Sequence, residues 1–242
     1  MTRSPRRTEL TLGYVLHHRP WRDTSRILEV LTREHGRLTL FARGVRGPRA
    51  KLAPVLQPFQ PLLLSWSGRG EAPQLTAAER AEGGAPLPPA VLLAAFYLNE
   101  LVMKLTTRHD PLPALFDHYH ATLSALRGGA ALEPRLRIFE KRLLEVLGYG
   151  LDLGSESLSG RPIQAQAYYL YRPSQGLIGA GDQRAGALAG ESLLALAAEE
   201  LASARALEDA RRLLQAALAA CLEGRQLTTR AVARAMLHRA AS

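Results

Sequence analysis

The first eighty residues alternate between apolar and polar side chains with a period of two, which is typical of β-strands. The alternation runs through Leu10–Leu16, breaks at 20–23 and resumes over Ser25–Thr32. After a short turn that contains Gly36, it returns over Arg37–Ala42. This pattern predicts one strand followed by a β-hairpin, with the glycine in a turn where a positive φ is easily adopted.

Two further strands are predicted in the same region. The apolar stretch Val55–Ser67 contains Pro58 and Pro61, which favour a bent strand or a strand at the edge of a sheet. A glycine-containing turn at 67–70 leads to a last strand near Pro73–Ala78. Five short strands within about seventy residues are typical of a small closed barrel, and the OB-fold is the commonest barrel of that size.

Beyond a linker at Gly83–Pro89 the apolar residues take the three- and four-residue spacing of helices. Helices are predicted at about 91–105, 114–126, 134–147, 191–202, 207–222 and 228–239. The stretch 151–189 is rich in Gly, Ser and Gln, and its one ordered-looking piece is a strand-like run at Ala167–Arg172. We therefore expect a multidomain β plus α protein, with an OB-fold barrel over 1–82 and an α-helical domain over 88–242 that carries an irregular insertion at about 154–189.

The composition is that of an ordinary globular protein of 242 residues, with 47% hydrophobic and 22% charged residues. No apolar run approaches the roughly 18 to 20 residues that span a bilayer. Alternating sequence, rather than an apolar signal core, follows the basic N-terminus. The single cysteine, Cys221, excludes a disulfide within the chain and a cysteine zinc cage. We expect a cytoplasmic protein.

Positive charge is concentrated at the start of the chain. Residues 1–51 contain twelve Arg and Lys against four acidic residues, a net charge of +8, whereas the other 191 residues contain 19 basic and 18 acidic ones. A basic region of this kind is the electrostatic footprint of a polyanionic partner, of which nucleic acid is the first candidate.

The predicted strands place these bases on the barrel and its loops, where OB-folds bind single-stranded nucleic acid through positive charge and aromatic faces. Trp21 is the best candidate for stacking on a base and Phe41 is a second. Burial in the barrel is the alternative for both, and the favoured one for Phe41. The predicted nucleic-acid-binding residues are Arg19, Trp21, Arg22, Arg26, Arg37, Arg43, Arg46, Arg49 and Lys51.

No catalytic constellation is evident in the sequence. His17 and His18 are neighbours in a predicted strand and are expected to point to opposite faces, while His118 and His120 diverge on a helix by about 200°. The motifs HExxH, GxxxxGK[ST] and GxSxG do not occur. We expect a protein that is not an enzyme and that needs no metal or cofactor.

A second candidate site lies on the helix predicted at 134–147. Arg137 and Lys141 are four residues apart, beside an apolar stripe that includes Phe139 and Leu143. An apolar groove with a basic rim suits an acidic peptide with a hydrophobic anchor, so these four residues form the predicted partner-peptide site.

Short segments along nearly the whole chain resemble the RecO family of DNA repair proteins. They occur in order from about residue 14 to residue 235, and their order and spacing are more specific than any single segment. The segments include VLHHRPWRDTS at 15–25, GRL at 36–38, ARG at 42–44, LQPF at 56–59, GRGE at 68–71, YLNEL at 97–101, LFDHY at 115–119, RIFE at 137–140, LGYGLD at 147–152 and GRQLTTR at 224–230.

The resemblance implies an N-terminal OB-fold, a helical domain and the function of a recombination mediator associated with the nucleoid. Such proteins bind single- and double-stranded DNA and anneal complementary strands. They contact RecR and the acidic C-terminal tail of single-stranded-DNA-binding protein, and with RecR they help RecA to load onto coated single strands.

The chain departs from the family at one point. Many members carry two cysteine pairs that form a zinc site after the LGYG-like motif, whereas residues 154–189 of this chain contain no cysteine. We therefore expect no zinc site, and a mobile segment held by packing alone.

Two other functions remain open on the residues themselves. A protein–protein adaptor would use the acidic-peptide groove as its main site, and DNA contact would then be incidental. An RNA-binding OB-fold protein is the other alternative, since no feature of the sequence separates ribose from deoxyribose.

Overall fold

A computed structural model of the chain describes residues 7–46, 50 and 52–233. The chain forms two compact units, one of Met1–Gly129 together with Leu227–Ser242 and one of Ala130–Gln226. The chain therefore leaves the first unit once and returns to it for its last residues.

The first unit contains a closed five-stranded barrel. Its strands are β1 (Arg7–Trp21), β2 (Ser25–Thr32), β3 (Gly36–Ala42), β4 (Leu62–Ser67) and β5 (Gln74–Arg80), paired in the order β1-β2-β3-β5-β4. All neighbouring strands are antiparallel except β3 and β5, which are parallel. This OB-like barrel, followed by a helical region, confirms the predicted fold class.

Every second residue of the strands fills the barrel. Leu28 and Val30 of β2 and Leu38 and Leu40 of β3 are almost completely buried in one cluster with Trp66 of β4. Full burial of each such side chain stabilises the fold by about 1.5–3 kcal/mol. Since side chains alternate along a strand, the residues between them point outwards and form the outer face of the barrel.

The prolines act differently from what the sequence predicts. β1 continues through Pro20 to Trp21, with Pro20 paired to Arg26 near the end of the strand, where a missing N–H is tolerated. The predicted strand over Val55–Ser67 begins only at Leu62, because its first part, which contains Pro58, forms turns.

Two helices follow the barrel in the first unit. A 3₁₀ turn at Pro89–Val91 leads into α1 (Leu92–Leu105), which α2 (Pro113–Arg127) follows. The side-chain amide of Asn99 in α1 donates a hydrogen bond of 2.7 Å to the carbonyl of Leu16 in β1. The hydroxyl of Tyr119 in α2 donates to the Asn99 side-chain oxygen at 2.5 Å. Buried hydrogen bonds thus attach α1 to the barrel and α2 to α1.

Residues 228–233 are helical and pack against α1. The Glu100 carboxylate accepts hydrogen bonds from the backbone N–H groups of Thr228 and Thr229 at 2.8 and 2.9 Å, so it caps this helix from outside. Burial alone would raise the pKa of Glu100, but these hydrogen bonds outweigh it and lower the pKa below its ordinary value.

The second unit combines helices with a small sheet. Its elements are α3 (Leu132–Val146), β6 (Tyr168–Arg172), β7 (Gly176–Gly179), β8 (Leu188–Ala189), α4 (Gly190–Ala198) and α5 (Ala204–Leu222). The strands pair antiparallel in the order β7-β6-β8. The segment predicted to be irregular, about 154–189, therefore contains a small three-stranded sheet between its turns, and side chains such as Tyr169, Leu177 and Leu188 are buried there. No helix among the described residues is long and apolar enough to cross a membrane.

Candidate nucleic-acid interface

A row of four residues, hereafter the outer row, crosses the outer face of the barrel. Arg19 of β1 lies opposite Ile27 of β2, Ile27 lies opposite Phe41 of β3, and Phe41 lies opposite Gln74 of β5. Residues that pair directly point to the same face of a sheet. Leu28, Leu40 and Ala42, which adjoin Ile27 and Phe41 in sequence, lie in the barrel core, so the row faces outwards.

The turn between β1 and β2 carries an exposed aromatic ring next to the outer row. Trp21 lies two residues beyond Arg19 and therefore on the same face, and 42% of its surface is exposed. Arg22 follows in the left-handed region with φ +50 and is also exposed. An exposed indole between two guanidinium groups can stack on a base while the charges contact the flanking phosphates.

Phe41 is less open than Trp21. Its side chain is partly buried, and the guanidinium carbon of Arg43 lies 5.6 Å from its ring centre. This cation–π contact holds the exposed Arg43 over the outer row. Phe41 therefore supports a positive charge at the surface, whereas Trp21 presents an open ring.

Arg46 links the loop after β3 to the turn between β1 and β2. Its backbone N–H donates to the carbonyl of Thr24 at 3.0 Å, and its Nη1 donates to the carbonyl of Arg22 at 2.9 Å. Arg46 itself is exposed. It therefore holds two loops together and adds positive charge between them.

Arg26 belongs to the end of the barrel rather than to the outer row. Arg26 lies two residues before the buried Leu28 on β2, so the two side chains are on the same, inward side of the strand. It is partly buried and lies opposite Ala42. Its Nη1 is buried without a hydrogen-bond partner among the described residues. Burial, and then the charge of Arg26, lower the pKa of the neighbouring His18.

Arg37 is not available as predicted, because it is committed to an internal ion pair. Its Nη1 lies 2.9 Å from a carboxylate oxygen of Glu29, and its Nη2 donates to the carbonyl of Thr106 at 2.7 Å. Only 11% of its side chain is exposed. This prediction is corrected: Arg37 stabilises the barrel instead of facing solvent.

Four donors hold the carboxylate of Glu29. Besides Arg37, the hydroxyl of Thr39 donates at 2.8 Å, and Arg108 donates through Nε at 3.2 Å and Nη2 at 2.5 Å. Burial alone would raise the pKa of Glu29, but the hydrogen bonds from Arg108 and Thr39 and the two positive charges lower it below its ordinary value. Glu29 is therefore ionised at neutral pH.

The two last predicted nucleic-acid-binding residues, Arg49 and Lys51, lie outside the described residues. Within that described part, no group of three His, Cys, Asp or Glu side chains is placed to hold a metal ion.

The predicted partner-peptide site on α3 is not an open groove. Phe139 and Leu143 are fully buried, and Arg137 and Lys141 are only 6% and 8% exposed. Lys141 Nζ lies 2.9 Å from a carboxylate oxygen of Glu199. The open basic rim expected from the sequence is therefore absent, because internal carboxylates cover the cations.

Arg137 is an unusual member of this group. Its Nη2 lies 2.8 Å from a carboxylate oxygen of Glu140. Its Nε and Nη1 are buried and have no hydrogen-bond partner in the part of the chain that the structure describes. Buried donors are nearly always hydrogen-bonded in folded proteins, so these two nitrogens are suited to donate to an additional anionic partner.

Two family models match consecutive parts of the chain. Residues 7–83 match the family model described as "Recombination protein O N terminal", and residues 89–231 match "Recombination protein O C terminal". The chain belongs to the RecO family.

Individual relatives extend the similarity over almost the whole chain. It is similar to the DNA repair protein RecO of Methylococcus capsulatus, with 45% identity over 226 residues that cover 93% of each chain. The RecO protein of Chromobacterium violaceum is 43% identical over 238 residues, which cover 96% of this chain and 97% of the relative. In Cupriavidus pinatubonensis the identity is 41%, over 95% of this chain and 80% of the relative.

One charged residue beside the outer row of this RecO family member was not identified from the sequence. Arg108 lies 79 residues from Glu29 in the chain, in the part whose formal charge is balanced. Its exposed side chain reaches the barrel because the backbone of 37 and 108 forms an isolated bridge. The alternation of side chains along a strand does not indicate a contact between residues as far apart in sequence as Glu29 and Arg108.

Proposed function

We propose that this chain is a DNA-binding recombination mediator that acts without a catalytic step of its own. It binds single- and double-stranded DNA on the outer face of the barrel and anneals complementary strands. With RecR, it helps RecA to load onto single strands coated with single-stranded-DNA-binding protein.

The observation that carries the proposal is the coincidence of charge and aromatic surface on one face. Exposed Arg19 and Arg22 lie close to the open ring of Trp21 in the chain, and exposed Arg43 lies over Phe41 of the outer row. OB-folds bind single strands with this combination, in which cations follow the backbone and aromatic rings stack on bases. Membership of the RecO family supports the assignment to DNA repair.

Phosphate neutralisation also accounts for annealing. Two complementary strands repel each other through their phosphates, and guanidinium groups on one protein surface reduce this repulsion. Each contact releases counterions, so binding is expected to be largely independent of sequence and to weaken steeply with salt.

The test is charge reversal at the centre of the site. Replacing Arg19, Arg22 and Arg43 by Glu should weaken binding to a single-stranded oligonucleotide on the order of a hundredfold and abolish annealing, without metal or nucleotide present. The matched control replaces exposed Arg161, Arg172 and Arg184 of the second unit by Glu, which changes the net charge equally.

Unchanged affinity in the barrel variant, or an equal loss in the control, would contradict DNA binding on this face. A clear preference for RNA over DNA of the same sequence would favour the RNA-binding alternative. Retained function in the barrel variant, with loss on disruption of the acidic-peptide site, would favour the adaptor alternative.

We infer a second role for α3 as the binding site for the acidic tail of single-stranded-DNA-binding protein. Arg137, Phe139, Lys141 and Leu143 are its proposed residues, and the unpartnered donors of Arg137 support it. A carboxylate that accepts from Nε and Nη1 would satisfy those donors. Titration of an acidic peptide that ends in Phe against wild type and Arg137→Gln tests the site, and equal affinities would contradict it.

A further inference from the structure

A second row of residues lies beside the outer row on the same face of the barrel. Glu29 lies opposite His17 of β1 and Thr39 of β3, two residues along β2 from Ile27. Two residues of a strand span about 7 Å, so DNA that covers the outer row comes close to this acidic position.

The carboxylate of Glu29 does not make this position negative. The cluster of Glu29, Arg37 and Arg108 contains two guanidinium groups and one carboxylate, a net charge of +1. The carboxylate of Glu71, an exposed residue of the loop between β4 and β5, joins Glu29 in raising the pKa of Arg108. Arg69 lies two residues before Glu71 in the same loop and is exposed as well.

The two arginines of the cluster differ in access to solvent. The side chain of Arg37 is 11% exposed and that of Arg108 is 52% exposed. Arg108 uses Nε and Nη2 on Glu29, so its Nη1 is the nitrogen that Glu29 does not engage. A guanidinium carries five N–H donors and can bind a carboxylate on one edge and a phosphate oxygen on another.

We propose that Arg108 is a phosphate-contacting residue that extends the DNA path from the outer row over the second row. Arg37 is a positioning residue: it neutralises Glu29 from the buried side, and Glu29 in turn orients Arg108. The inference rests on the proposed DNA-binding function and adds to it a residue from the connection between α1 and α2.

The test separates contact with DNA from neutralisation of Glu29. Four full-length proteins are compared: wild type, Glu29→Gln, Arg108→Ala and the double variant. The single-stranded oligonucleotide affinity of each is measured over a series of salt concentrations. If Arg108 contacts a phosphate, its loss in the Glu29→Gln background should weaken binding about fivefold and reduce the salt slope by about 0.7.

The opposite result overturns the proposal. If Arg108 only neutralises the acid, Arg108→Ala weakens binding in the wild-type background but has no effect in the Glu29→Gln background. The variant Arg108→Lys keeps the charge and should keep the salt slope, and a slope lowered as far as that of Arg108→Ala would also contradict the proposal. Thermal unfolding identifies any variant that fails to fold.

Failure of the inference can be told from failure of the proposed function. If Glu replacement of Arg19, Arg22 and Arg43 weakens binding while the double variant binds like Glu29→Gln, DNA binding stands and the role of Arg108 is refuted. If that replacement leaves binding unchanged, the proposed function itself fails.

Discussion

The outer face of the barrel and the buried face of α3 both contain basic residues, yet only the barrel presents them to solvent. On the barrel, Arg19, Arg22 and Arg43 are exposed. On α3, Arg137 and Lys141 are buried against carboxylates. The number of basic residues in a segment therefore does not give the positive charge that is accessible to a polyanion.

The difference arises from secondary structure. On the antiparallel part of the barrel, Arg19 and Phe41 share a face through an intervening strand, and Arg43 lies over Phe41, so basic side chains far apart in sequence reach one surface. On α3, Glu140 and Glu145 follow three and four residues after Arg137 and Lys141, at the spacing where helical side chains meet. The helix thus neutralises its own cations.

The largest effect is expected in the core beneath the α3 cations. Phe139 is 1% exposed, so Phe139→Ala should lower the free energy of unfolding by about 3–5 kcal/mol. Urea denaturation measures the loss, and Leu158→Ala, at a side chain that is 71% exposed, serves as the control. A small loss at Phe139 would mean that α3 is more open than described.

The open ring on the barrel should distinguish single strands from duplex. Trp21→Leu removes a surface for base stacking worth about 1–3 kcal/mol, and bases in a duplex are already stacked. Affinity for a single strand should therefore fall roughly tenfold or more, with little change for duplex DNA of equal length. Phe96→Leu, at a similarly exposed ring on α1, is the control. Equal losses for both DNA forms would exclude stacking.

A smaller effect is expected from releasing the covered cations of the second unit. Glu199 accepts from Lys141 and also contacts Arg142 Nε at 2.5 Å. Glu199→Gln should strengthen binding of an acidic peptide about fivefold, because the internal carboxylate no longer competes. Fluorescence anisotropy compares it with Glu200→Gln at the exposed neighbouring position. Weaker binding by Glu199→Gln would show that Glu199 organises the site instead of masking it.

The smallest effect concerns pH. The folded protein lowers the pKa of Glu29 from its ordinary value of 4.5, so the unfolded chain binds this proton more readily. The stabilisation is present above pH 4.5 and is lost as pH falls through the lower folded value. Glu29→Gln should therefore be less stable than wild type at about pH 6, and the difference should shrink towards about pH 3. A difference that is independent of pH would contradict an ion-pair origin.

The fold and the exposed part of the site could be predicted from local patterns. The change from a period of two to helical spacing after Gly83 indicated a barrel followed by helices, as observed. The break in the alternation at 20–23 indicated the turn that the structure has at 22–24, and Trp21 beside this turn is exposed. Both features depend only on residues close together in sequence.

The rest depends on contacts between distant residues. The partners of Arg37 include Thr106, and those of Lys141 include Glu199, which are 69 and 58 residues away respectively. Neither the hydrophobic periodicity nor the number of charged residues indicates which residues so far apart in sequence form a contact. In the small sheet the strand-like run at Ala167–Arg172 is β6, but β7 and β8 were not predicted, and the two-residue strand β8 is defined by its pairing with Tyr168 and Tyr169.

The salt dependence of single-strand binding tests the contrast between the two surfaces most directly. Replacing Arg19, Arg22 and Arg43 by Ala should reduce the slope of log affinity against log salt by about 2, at roughly 0.7 for each lost phosphate contact. Replacing the ion-paired Arg142, Arg211 and Arg212 of the second unit by Ala should leave the slope unchanged. An unchanged slope in the barrel variant, or equal reductions in both, would contradict the account.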